Sequence, residues 1–176
     1  RSDTGVTDYL CSLSSTAPTM VAGDLPSYDF KRLIGWFKRV GGTIVAFDTY
    51  ETEGGGLELL WDSPTLDVDL LNTLGAARRT DAVKVPLNVS TTALLNVTFD
   101  DAAGGIAIVY CPDQADIVPS STAAPLSTAI APVAGASHSR FHTVRTSATG
   151  TIAARATITL DIYRVSTLGF RWARRN

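Results

Sequence analysis

Ile152-Ala153-Ala154-Arg155-Ala156-Thr157-Ile158-Thr159-Leu160-Asp161-Ile162 is the stretch on which the fold turns. Ile152, Ala154, Ala156, Ile158, Leu160 and Ile162 alternate with Thr151, Arg155, Thr157, Thr159 and Asp161. A period of two predicts one long strand with a single wet side. The same period runs through Ala82-Val83-Lys84-Val85-Pro86-Leu87-Asn88-Val89, which puts Val83, Val85, Leu87 and Val89 on one face. Pro86 has no N–H to donate to a ladder, so this strand belongs at an edge or a bulge. Leu95, Val97 and Phe99 repeat the pattern after Ser90-Thr91-Thr92. Gly104-Gly105 precedes Ile106-Ala107-Ile108-Val109-Tyr110-Cys111, a short apolar run suited to a strand buried on both faces. Thr43 to Tyr50 and Leu57 to Trp61 read as strands joined through Gly54-Gly55-Gly56, and Val6 to Leu13 is a further candidate.

Two segments carry a helical spacing instead. Between Tyr28 and Val40 the apolar residues Phe30, Leu33, Ile34, Phe37 and Val40 fall on one face, with Lys31, Arg32, Lys38 and Arg39 mostly opposite. Ser27 or Asp29 caps the start of such a helix, and Gly41-Gly42 ends it; Gly35 in its middle costs about 1 kcal/mol relative to alanine. A second, shorter helix is expected over Leu66 to Leu74. Val118 to Ser139 reads as one long loop with no charge at all, with Pro119, Pro125 and Pro132 among Ser, Thr, Ala and Gly. Many short strands, one or two short helices and Ser/Thr-rich connections make an all-β sandwich.

The 176 residues fit one domain, 1–176, and are enough to bury about 70% of the unfolded surface. Charged residues make up 18% of the chain against roughly 25% in an average soluble domain. Hydrophobic residues reach 45%, and 15 Lys+Arg against 17 Asp+Glu leave a formal net charge of -2. Disorder needs low hydrophobicity and high net charge, so it is excluded. A dedicated electrostatic nucleic-acid binder has a pI above about 9, whereas this chain sits near 5.6. No uncharged apolar run reaches the length of about 18 residues needed to span a membrane. Cys11 and Cys111 read as buried free thiols rather than a disulfide framework. The chain starts at Arg1 without a leader pattern, which suits either trimming or release from a larger precursor.

Candidate chemistry is sparse. His138 and His142 stand four apart, the spacing of a helical metal pair, but Ser139-Arg140-Phe141 lies between them in a loop, without the glutamate of a metalloprotease motif. Gly54-Gly55-Gly56 lacks the lysine and helix of a phosphate loop. From Asp48 to Asp69 the charges Asp48, Glu51, Glu53, Glu58, Asp62, Asp67 and Asp69 are all acidic, and Asp62, Asp67 and Asp69 are candidate ligands for a hard cation such as calcium; a solvated acidic face is the plainer reading and the one favoured. Asp100-Asp101 reads as turn chemistry. Arg164, Arg171, Arg174 and Arg175 make the end of the chain basic, suited to phosphates or to an acidic patch on another copy. Asn88-Val89-Ser90 and Asn96-Val97-Thr98 match the glycosylation pattern but fall in expected strands, so they read as chance. No catalytic residue, metal site or cofactor is expected.

Three stretches together resemble the coat proteins of picorna-like positive-strand RNA viruses, nearest to comovirus-type small coat proteins. They are Leu33-Ile34-Gly35-Trp36-Phe37-Lys38-Arg39-Val40-Gly41-Gly42-Thr43-Ile44-Val45, Val85-Pro86-Leu87-Asn88-Val89 leading to Leu94 to Phe99, and the last strand Ala156 to Val165 with its basic tail. Together they cover about a third of the chain, and the usual long or basic N-terminal arm is missing, which fits a trimmed fragment, a small subunit, or a protruding domain of a larger coat protein. The resemblance implies an eight-stranded antiparallel jelly roll packed against copies of itself or sister subunits in an icosahedral shell. It places the protein in the virion, assembled in the host cytoplasm. Genomic RNA at the arginine-rich tail and a host receptor are further candidate partners; a membrane is not.

Beside this structural role stands a binding module of another class. A glycan-binding or adhesin-like sandwich would use Trp36, Trp61 and Trp172 as stacking platforms, with Val118–Ser139 as a rim. A hydrolase on the same scaffold lacks a nucleophile–base pair.

Overall fold

The computed structural model describes residues 35–53, 55–120, 129–130 and 136–173. The chain divides into two compact units, Arg1–Trp36 and Phe37–Asn176, and all the described strands belong to the second. In order they are β1 (Arg39–Val40), β2 (Thr43–Ile44), β3 (Phe47–Thr52), β4 (Gly56–Leu71), β5 (Arg79–Ala82), β6 (Thr92–Asp100), β7 (Ala107–Tyr110), β8 (Ala129–Ile130), β9 (His138–Arg145), β10 (Thr151–Ala156) and β11 (Ile162–Trp172). All pairings are antiparallel. A five-stranded sheet has the order β3-β4-β11-β6-β9, a four-stranded sheet the order β5-β10-β7-β8, and β1 and β2 form a small hairpin.

The two larger sheets share one core. Val97 and Phe99 of β6, Val144 of β9 and Tyr163 and Val165 of β11 meet Ala107 and Val109 of β7 and Ile152 and Ala154 of β10. Phe99 and Tyr163, cross-strand partners, stack with ring centroids 5.4 Å apart. The run Ala107–Tyr110 is buried on both sides, as its unbroken apolar sequence predicts, because Ile117 packs on Ile108, Tyr110 and Ala153 from the far side.

No helix occurs among the described residues. Of the helix expected over Tyr28–Val40, residues 28–34 lie outside the described part, residues 35–38 are irregular, and Arg39–Val40 pairs with Thr43–Ile44. Gly41 and Gly42 take positive φ values of 56° and 88°. That conformation at both central residues of a two-residue turn closes a hairpin with the twist of its strands. The second expected helix is also replaced by strand: Leu66–Leu71 completes β4. The expected strand Val6–Leu13 lies outside the described residues.

Two alternating runs are shorter as strands than their period predicts. Of Ala82–Val89, only Ala82 is paired; Val83 then donates to Gly150 and Asn88 to Ala148. Pro86 cannot donate, and Asn88 takes a φ of 62°, so the ladder stops. Ile152–Ile162 is not one strand. It leaves the four-stranded sheet after Ala156 and enters the five-stranded sheet at Ile162. Between them Leu160 is fully buried and donates its N–H to Leu74. The alternation persists because the crossing closes one end of the core. The expected strand Thr43–Tyr50 is divided into β2 and β3, and the loop expected over Val118–Ser139 contains β8 and the start of β9.

Candidate interaction surface

The acidic middle and the basic end of the chain lie side by side. β4 pairs with β11 so that Asp69 is opposite Arg164 and Glu58 opposite Arg171. Arg164 Nε donates to Asp69 Oδ1 at 2.6 Å, and Arg171 Nε donates to Glu58 Oε2. Arg174 and Arg175 lie outside the described residues.

The candidate calcium ligands do not share a site. Asp69 faces outward with Arg164, and Asp62 is exposed on β4 within the segment 61–64 that the pairing with β11 skips. Asp67 turns to Thr167, whose hydroxyl donates to Oδ2, as does the Lys84 backbone N–H at 3.2 Å. Burial pushes the Asp67 carboxyl above its ordinary range. Among the described residues, no three His, Cys, Asp or Glu side chains are placed to hold a metal ion.

His138 and His142 lie on one face of β9, about 13 Å apart at strand rise, so their spacing brings no ligand pair together. His142 is buried, Nε2 has no hydrogen-bond partner, and burial with Arg140 nearby lowers its pKa. The unfolded chain takes up this proton near pH 6.5 while the folded chain resists it. Stability is therefore present above pH 6.5 and lost as pH falls through it towards the folded pKa. Urea midpoints should drop between pH 7.5 and 5.5, and the drop should shrink in His142→Leu. Equal drops in both proteins would remove His142 as the source.

Trp61 is interior. It lies edge-on to Phe47 at 6.3 Å and tilted against Phe170 at 6.0 Å, and its indole N–H donates to Lys84 at 3.3 Å. Asn88 sits in an exposed irregular segment rather than a strand, while Asn96 is in β6. Cys111 is a half-buried free thiol.

One polar cluster is not legible in the sequence. The Tyr110 hydroxyl donates to Asp116 at 2.7 Å, Arg155 pairs with the same carboxylate at 2.8 Å, and Arg78 lies over the Tyr110 ring at 5.4 Å. Burial and Asp116 push the Tyr110 hydroxyl up to about 12, and the hydrogen bond from Tyr110 holds Asp116 below its ordinary range. Arg78 also donates to the Pro112 and Gln114 carbonyls. The cluster fastens residues 111–116 against β7 and β10. Its members come from distant parts of the chain, with no spacing that links them.

The outer face of the five-stranded sheet carries several exposed apolar side chains. Register places Leu66, Ser166, Asn96 and Phe141 in one row across it, and Asp69, Arg164, Thr98 and Ser139 in the next. Thr98 and Ser139 hydroxyls meet at 2.6 Å. Tyr50, Leu66, Leu71 and Phe141 are all more than half exposed on this face. Large apolar side chains set among hydroxyls and internally matched charges suit burial against another protein. No protein-family model matches the chain, and neither a curated protein nor a solved structure matches it.

Proposed function

We propose that this chain is a structural subunit of a viral capsid, a jelly roll that assembles with copies of itself or sister subunits into an icosahedral shell around an RNA genome, and that it has no catalytic role. The observation that carries the reading is the nesting of strand pairs: β4 with β11, β5 with β10, β6 with β9 and β7 with β8. First pairs with last and each inner strand with its counterpart, so the eight strands form one long antiparallel ribbon rolled into two sheets. That nesting supports a double-Greek-key jelly roll, an architecture used by viral coats and also by lectins. Two further facts favour the coat. Charge is scarce overall, as in chains whose surface is covered by neighbours, and Trp61, one of the three candidate sugar platforms, is interior.

The test is assembly. Purified protein is expected to sediment well above monomer and to show closed particles by electron microscopy. A salt-independent monomer at high concentration would overturn the reading. Specific binding on a glycan array in the absence of assembly would favour the lectin-like alternative instead.

A further inference from the structure

The charges of the five-stranded sheet fall into two sets. On the inner strands they are matched within the chain, Arg164 with Asp69 and Arg171 with Glu58. On the two edge strands they are not. Asp48 and Glu51 on β3, and Arg140 and Arg145 on β9, have no ion-pair partner among the described residues. β3 carries acids and no base; β9 carries bases and no acid. Among the described residues each strand is hydrogen-bonded to a neighbour on one side only, so alternate N–H and C=O groups point away from the sheet along the other.

We propose that β9 of one copy docks against β3 of a second copy, continuing the five-stranded sheet across the interface between them. This deepens the capsid reading and rests on it. Charge selects the partner edge. Pairing β9 with β9 or β3 with β3 sets like charges together across the seam, whereas β9 with β3 sets opposite ones. Each edge carries charge on both faces of the sheet. Register puts Asp48 and Tyr50 on the outer face with Phe141 and Arg145, and Glu51 on the inner face with Arg140. Tyr50 and Phe141, both more than half exposed, supply the apolar area beside those charges. Four antiparallel steps separate β3 from β9, so the two edges run in the same direction. A second copy that keeps the same face outward therefore adds its β3 in parallel. The contact is head-to-tail, and repeating it closes a ring or extends a row.

Charge reversal tests this at low ionic strength, with sedimentation velocity as the readout. Arg140→Glu with Arg145→Glu, or Asp48→Lys with Glu51→Lys, gives the two edges the same sign of charge and should weaken association on the order of tenfold. An equimolar mixture of the two variants should recover it, because the acidic β9 of one then meets the basic β3 of the other. The chain bearing all four changes should recover it too. Recovery supports the edge contact and shows that the variants are folded. Variants that associate like the wild type overturn the contact and leave self-assembly standing. The contact is also overturned if neither the mixture nor the fourfold variant recovers. A wild-type chain that stays monomeric overturns both readings.

Discussion

Replacing Gly169 with alanine is expected to lower the melting temperature by roughly 10 °C, and valine to abolish soluble expression. Gly169 lies in β11, the middle strand of the five-stranded sheet, opposite Leu60 on one side and Leu94 on the other. It follows a register break at which residues 61–64 of β4 stand against Leu168 alone. The extra residues accommodate Pro64, and beyond them the backbones close up. A Cβ at position 169 would lie 2.0 Å from the Leu59 carbonyl oxygen and 2.9 Å from the Leu60 Cα. Those are backbone atoms, so no rotamer change relieves the clash. Overpacking typically costs 1–3 kcal/mol, and more where the obstacle is rigid. In a domain of this size, about 3 kcal/mol corresponds to roughly 6–12 °C. Thermal melting by circular dichroism gives the answer, and a Gly169→Ala protein melting within about two degrees of the wild type would refute the close approach.

Phe99→Ala is the second large effect. Phe99 is fully buried, stacked on Tyr163, in the shared core of the two sheets. Truncating such a side chain removes its transfer free energy and leaves a cavity, together about 3–5 kcal/mol. Phe141 supplies the comparison. It lies on β9, the neighbour of β6, but faces outward and is 58% exposed. Phe141→Ala should change stability by less than about 0.5 kcal/mol. Urea titrations of the two variants measure which face of the sheet is interior. Similar losses at both positions would contradict the assigned faces.

Where a strand is regular, its sequence announces it. Val97 and Phe99 alternate with Asn96 and Thr98, and β6 alternates with them; the unbroken apolar run at 107–110 becomes a strand covered on both sides. The failures have local causes. Leu66 and Val68 are two residues apart yet face opposite sides of the sheet, because Asp67 is skipped in the pairing with Val165 and Ser166. A slip of one residue exchanges the faces, and the resulting spacing of Leu66, Leu70, Leu71 and Leu74 mimics a helix. Turn geometry hid the end of β5, since period alone carries no trace of the left-handed Asn88. The surface was the least legible part. Ninety-five residues separate Asp69 from Arg164, so the acidic stretch and the basic end look like opposed patches until the register sets them together. Once they are matched, the unmatched charges stand out at the sheet edges.

The nested pairing also governs when the chain becomes able to fold. During synthesis β4 and β6 both emerge before β11, the neighbour they share in the sheet. The five-stranded sheet therefore lacks its middle until β11 has been made. Contacts this distant in sequence put such chains among the slower folders, in the millisecond-to-second range. A nascent chain exposes β4 and β6 as unpaired edges throughout that interval. Completion of β11 thus acts as a timing device: the outer face and the two charged edges come into register only once it has been made.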